Sequence, residues 1–245
     1  MRKKLLLASA LLLGLHYTNA NAGERYVQIW KGGKVVFSKL TTKVNNLNFK
    51  YVITSVDGHK CVDLDLPSGT LWATCNIDAE SPEAYGNYFS WGETTTKDNF
   101  TLAAYKYYDY DTGKFTKYLD AENVLEASDD VATANWGSHW CLPSPAQWKE
   151  LQANCTWTFD SENKYYKVTS TVDESKYIIL PLAGQNYAKG VQNEGILGTY
   201  YSNYATSGDS EYDILVTNIY LTEDGIEYRT EYPVYGKTMR AVVKQ

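Results

Sequence analysis

Beyond residue 22 the side chains best able to act as nucleophiles or metal ligands are His59, His139, Cys61, Cys75, Cys141 and Cys155. His139 and Cys141 are spaced like a possible Cys/His nucleophile pair. However, residues two apart in an extended segment point the same way without touching, so the imidazole cannot take the thiol proton. A zinc clamp needs two cysteines about two residues apart, whereas at least 13 residues separate any two of these. Asp63 with Asp65, or Asp129 with Asp130, could serve as the paired carboxylates of a glycosidase. The simpler reading puts the first pair on an outward strand face and the second at a helix N-terminus, where aspartate satisfies unpaired backbone N–H groups. The expectation is a protein with no catalytic residues, no bound metal and no cofactor.

Aromatic residues offer recognition instead. Tyr105, Tyr107, Tyr108 and Tyr110 form one cluster in the sequence, and Tyr200, Tyr201 and Tyr204 form another. Either could stack on a sugar or anchor a protein, and either could equally cover the rim of a core.

The chain opens with Arg2, Lys3 and Lys4, an apolar run Leu5 to Leu15 and a small-residue site Ala20-Asn21-Ala22, the layout of a secretory signal cleaved after Ala22. No stretch reaches the roughly 20 apolar residues of a spanning helix, so no transmembrane anchor is expected. Export to periplasm, cell surface or medium follows. Loss of residues 1–22 removes three basic residues and no acidic one, leaving 20 against 29 and a net charge of −9. That sign excludes nucleic acid as a partner class. In an oxidising compartment four cysteines predict two disulfides, and the expected state is a monomer.

The elements that would position these groups are mostly strands. Tyr26 to Lys39 reads as a hairpin about Gly32-Gly33, setting Trp30 opposite Val35 and Gln28 opposite Phe37. A short strand from Val44 to Phe49 completes an appendage over residues 23–50. A second hairpin joins Lys60–Leu64 to Thr70–Cys75; if its turn centres on Ser68, Cys61 faces Cys75. Short helices are predicted after Ser81-Pro82 up to Gly86 and after Ser128-Asp129-Asp130 up to Gly137. The clearest helix starts at the capping box Ser144-Pro145-Ala146-Gln147, with Trp148, Leu151 and Cys155 on one face. Tyr105 to Tyr118 is a surface loop or loose hairpin. Strands follow at Lys167–Thr171, Tyr177–Leu182, Thr199–Ala205, Ile214–Leu221 and Met239–Val243. The fold class is α+β.

Leu66-Pro67-Ser68-Gly69-Thr70-Leu71-Trp72-Ala73-Thr74-Cys75-Asn76, then Ala84-Tyr85-Gly86-Asn87-Tyr88-Phe89-Ser90-Trp91-Gly92-Glu93-Thr94, resemble the Fibrobacter succinogenes major paralogous domain family of Bacteroidota and Fibrobacterota. Asp129–Gly137, Trp140-Cys141-Leu142-Pro143-Ser144 and Gln147-Trp148 with Leu151 resemble its central block. Ile179-Leu180-Pro181-Leu182-Ala183-Gly184, Tyr200-Tyr201-Ser202 and Met239-Arg240-Ala241-Val242 resemble its C-terminal signatures, so the likeness covers residues 51–245 in the family's order. Cys141 replaces a common arginine, Tyr201 a usual tryptophan and Ala241 a usual proline.

The resemblance implies a C-type-lectin-like fold of the sulfatase-modifying-factor type. It also implies a Cys75–Cys155 bridge and leaves Cys61 with Cys141, against the Cys61–Cys75 pairing that the hairpin favours. The formylglycine-generating relatives use a reactive cysteine pair late in the chain, and none lies after Cys155. Calcium-binding lectin motifs are also missing from the sequence. By analogy of fold, recognition falls to loops of the second half: Gln185, Asn186, Tyr187, Tyr200, Tyr201, Asn203, Tyr204, Asp209 and Glu211. The expected function is an exported, non-enzymatic module that binds a protein or glycan. The alternatives are a diverged enzyme and a structural component of a surface assembly.

Overall fold

A computed structural model describes residues 14–20, 24–31, 34–40, 54–188, 190–208, 210 and 213–244. It divides into two compact units, Met1–Tyr51 and Val52–Gln245. In the first, β1 (Gly14–Ala20), β2 (Glu24–Lys31) and β3 (Lys34–Leu40) form an antiparallel sheet in that order. The β2–β3 hairpin pairs Trp30 with Val35 as expected. A register shift between Ile29 and Trp30 then sets Phe37 opposite Ile29 rather than Gln28. The expected strand Val44–Phe49 lies outside the described residues.

The second unit is β-rich. Its central sheet runs in the order β10-β19-β6-β5-β4, from β4 (Ser55–Val56), β5 (His59–Asp63), β6 (Leu71–Asn76), β10 (Trp140–Cys141) and β19 (Arg240–Val243). A four-stranded sheet, β18-β17-β16-β9, contains β9 (Glu122–Val124), β16 (Gly198–Ser207), β17 (Ile214–Thr222) and β18 (Gly225–Glu231). A third sheet contains β11 (Cys155–Asp160), β12 (Tyr165–Ser170) and β13 (Tyr177–Pro181). Two small hairpins complete it: β7 (Tyr108–Asp109) with β8 (Lys114–Phe115), and β14 (Gln185–Tyr187) with β15 (Gly190–Gln192).

Two of the three expected helices form. Helix α1 (Val131–Trp136) is capped by Asp130, whose carboxylate accepts from Ala132 N and Thr133 N; helix α2 (Pro145–Asn154) carries the full Ser144–Gln147 capping box. Both caps follow from the need of the first helical N–H groups for acceptors. Cys155 is not in the helix but opens β11. The expected helix at Ser81-Pro82 is a turn. Four residues between Ser81 and Gly86 allow one closing bond, Ala84 N to Ser81 O at 3.2 Å, and the carbonyl of Tyr85 is taken by the Asn76 amide.

Strand alternation divides the core. On one face of the central sheet Cys61, Ala73, Trp140 and Ala241 meet Phe89, Trp91 and Tyr201. On the other, Val62, Trp72, Cys141 and Val242 meet Trp148 and Leu151 of α2, with Val168, Leu180 and Tyr200 beyond. Trp72 and Trp148 cross edge to face with centroids 4.8 Å apart. Truncating either buried indole costs about 3–5 kcal/mol. The signature residues named above are therefore largely core: Trp91 donates to Ser202 O at 2.9 Å, and Tyr105 to Trp91 O at 2.8 Å. Arg240 is fully buried and donates to Asn76 Oδ1, Ala73 O, Thr74 O and Ile179 O at 2.7 to 3.1 Å, so one guanidinium joins β19, β6 and β13. Burial lowers its pKa to about 10.

Candidate functional site

His59 and His139 flank the place where the β4–β5 turn meets the end of α1. His59 opens β5, and β4 and β5 are joined by the two-residue turn Asp57-Gly58, both at positive φ (48° and 86°). This is the backbone that an Asp-Gly hairpin supplies at least cost, and the sequence reading overlooked that signal. Opposite it, α1 ends in Trp136, Gly137 turns the chain at φ 106°, and His139 leads into β10. The His59 imidazole stacks on the Trp136 indole at 4.1 Å with planes 11° apart. His139 Nδ1 lies 2.9 Å from Asp57 Oδ2, and Trp140 Nε1 donates to Val56 O at 3.2 Å. A Cβ at residue 137 would stand 2.9 Å from Asp57 Oδ2, a side-chain end that can move, so it is the φ of 106° that calls for glycine there.

An open cavity of about 360 Å³ lies against this junction, lined among others by His59, Lys60, Thr74, Cys75, Glu80 and Trp136. That volume is at the lower end of ordinary small-ligand sites. Burial lowers the His59 pKa against the opposing pull of Asp57 and Asp78, so the ring tends toward neutrality. The lining thus offers an aromatic surface, a hydroxyl, a thiol, one cation and one carboxylate.

The other chemistry-bearing residues serve the scaffold. Asp130 is buried; besides capping α1 it accepts from Leu142 N at 2.8 Å, tying helix to β10. Asp129 is not a cap but the centre of a network, accepting from Lys117 Nζ and Tyr118 Oη, each at 2.6 Å. Burial would raise its pKa, but hydrogen bonds from Lys117, Tyr107 and Tyr118 and the charge of Lys106 bring it down to about 2. Asp63 accepts from Asp65 N within the β5–β6 turn, and Asp65 pairs with Lys176. Lys237 is fully buried, donating to Asn218 Oδ1 (2.9 Å) and Glu231 Oε2 (2.7 Å), with the Tyr201 and Tyr220 rings 4.8 and 4.9 Å away.

The cysteine expectations need correction. Cys61 pairs with Ala73, not Cys75. The β-turn is Leu66–Gly69, and Asp65 at φ 57° adds a residue on the β5 side, shifting the register. Among the described residues no disulfide joins two of the four cysteines. Cys61 belongs to the core on one face of the central sheet, whereas Cys141 packs against the core on the other, so a Cys61–Cys141 bridge would have to cross that sheet. Cys75 lines the open cavity and Cys155 is buried. Burial pushes Cys61 and Cys155 up to about 11 and Cys141 up to about 12, far from the thiolate that nucleophilic attack requires.

The expected recognition residues are only partly at the surface. Tyr200 and Tyr201 are buried and donate to Pro181 O (2.8 Å) and Tyr235 O (3.0 Å), so their rings fill the core instead of meeting a ligand. Asn203 and Tyr204 lie in the irregular stretch of β16, where Asn203 N donates to Pro143 O and Tyr204 pairs with Val124. Gln185, Asn186 and Tyr187 form β14; Tyr187 is 38% exposed and its ring lies 5.2 Å from that of Tyr235. Asp209 and Glu211 lie outside the described residues. In the first tyrosine cluster Tyr105 is buried, Tyr107 and Tyr108 are half-buried, and Tyr110 is exposed.

Among the described residues no group of three or more His, Cys, Asp or Glu side chains is placed to hold a metal ion, and no helix is long and apolar enough to cross a membrane. A scan against protein-family models finds no match, and searches of curated proteins and of solved structures find none either.

Proposed function

We propose that this chain is an exported, non-enzymatic recognition module of the Fibrobacter succinogenes major paralogous type, with a C-type-lectin-like domain over residues 51–245 that binds a glycan at the His59–Trp136 cavity. The observation that carries the reading is the pairing, in one open pocket, of a stacked aromatic surface with Lys60, Thr74 and Glu80. A sugar presents an apolar ring face bordered by hydroxyls, which suits such a lining. Calcium is not needed for this mode. Asp129, Asp130 and Cys141 are committed to an ion-pair network, a helix cap and the core.

The test is a titration of oligosaccharides, read by tryptophan fluorescence and calorimetry, on the wild type and on Trp136→Ala. The expected result is about tenfold weaker binding in the variant, the loss of one stacking partner; because Trp136 also stacks on His59 and packs on Trp140, the variant melts at a lower temperature, and both titrations are made well below its transition. Equal affinity in both proteins would reject the pocket. Binding of a surface protein with no glycan bound would move the ligand class to protein.

A further inference from the structure

We propose that cleavage after Ala22 strips β1 from the N-terminal sheet and that β2 of a second copy takes its place, making the exported form a twofold dimer. Strand β1 lies within the segment expected to be removed. It is paired with β2 over seven positions, from Gly14 opposite Trp30 to Ala20 opposite Glu24. Without it the described part of the sheet is reduced to the β2–β3 hairpin, a two-stranded piece that is marginal in water, and the backbone groups of β2 that bonded β1 lose that partner.

The sequence of β2 complements itself. Antiparallel pairing of two copies centred between Val27 and Gln28 sets Glu24 opposite Lys31 at both ends, with Arg25 opposite Trp30 and Tyr26 opposite Ile29. Opposite charges facing across a strand pair are favourable, and the twofold doubles each contact. The outer edge of β3 lacks this property. Its sequence contains Lys34 and Lys39 and no acidic residue, so a second β3 has nothing to meet either charge; edge lysines are a common guard against such pairing. Among the described residues the resulting sheet runs β3-β2-β2-β3, four strands instead of two. This replaces the monomer expected from sequence. The inference rests on the export reading but not on the cavity, so failed glycan binding leaves it standing.

The experiment compares the chain beginning at Gly23 with the chain beginning at Gly14, by sedimentation equilibrium over a range of concentrations. The Gly23 form is expected at twice the monomer mass and the Gly14 form, its edge covered, as a monomer. Glu24→Lys in the Gly23 form should weaken the dimer about tenfold, and Glu24→Lys combined with Lys31→Glu should restore it. A Gly23 form that stays monomeric, or a Glu24→Lys variant that dimerises unchanged, overturns the proposal. N-terminal sequencing of the exported protein should begin at Gly23; retention of residues 14–22 would overturn it equally.

Discussion

His59 lies flat on Trp136, 4.1 Å between ring centroids, and so binds the β4–β5 turn to the end of α1 although 77 positions separate the two residues in the chain. Because burial depresses its pKa below 6.5, the unfolded chain binds a proton more readily than the folded one as pH falls. The contribution of His59 to stability is therefore full above about pH 6.5 and declines on acidification. In His59→Phe the stacked ring remains and the titration does not, while Asp57, Asp78 and His139 are unchanged. Wild type should lose melting temperature relative to His59→Phe between pH 7 and pH 5 (~2 pH units across the histidine range); parallel curves would contradict the assignment.

Asp129 behaves in the opposite sense to a buried acid left alone. Its folded pKa of about 2 lies below the ordinary 3.8, so its stabilisation is complete above roughly pH 4 and is lost as pH falls through 2. The shift corresponds to about 2 kcal/mol. Denaturant unfolding should show Asp129→Asn less stable than wild type at neutral pH by at least that amount, with the gap closing near pH 2. A gap that persists at low pH would place the loss in packing instead.

Lys237 should make the protein more stable in mild alkali. Burial lowers its pKa to about 8, with Glu231 pulling the other way, against 10.5 for a free lysine. Between those values the unfolded state holds the extra proton, so stability rises with pH across that window. Comparison with Lys237→Met removes the contribution of the tyrosines, which titrate in both proteins. Wild type should gain on the variant by about 3 kcal/mol from pH 8 to 10.5; a constant difference would show that the ammonium is not desolvated as its surroundings indicate.

Oxidation should not link Cys61 to Cys141. Cys61 belongs to the core on one face of the central sheet and Cys141 packs against the core on the other. Peptide mapping of the exported protein under non-reducing conditions should accordingly find no Cys61–Cys141 species. Recovery of that bridge would mean that β5 and β10 are arranged differently from the structure.

Tyr200 changes how binding should be tested. Its hydroxyl is spent on Pro181 O in the core, so alanine there removes a buried aromatic at about 3–5 kcal/mol and abolishes function through unfolding. Tyr200→Phe, which loses one hydrogen bond worth about 1 kcal/mol, should bind ligand as wild type does at a slightly lower melting temperature. A specific loss of affinity in Tyr200→Phe would return this residue to the recognition surface.

Local rules were enough for the local features. The Asp130 cap, the Ser144–Gln147 box, the extended Trp140-Cys141, the turn at Pro67-Ser68 and most late strands follow from propensity, capping and hydrophobic alternation, because each depends on neighbours within a few residues. The shift that moved Cys61 from Cys75 to Ala73 did not, since it hangs on one left-handed aspartate inside a turn. Nor did the burial of Tyr200 and Tyr201: an amphipathic ring serves a core rim and a ligand equally well, and only the layers packed against β16 choose between them. The meeting of His59 with Trp136, and of Asp57 with His139, was illegible for the same reason. Their separation along the chain carries no signal, and β10 and β4 stand at opposite edges of the central sheet; it is the packing of Trp140, whose indole reaches Val56 O, and of Trp136 on His59 that brings them within reach.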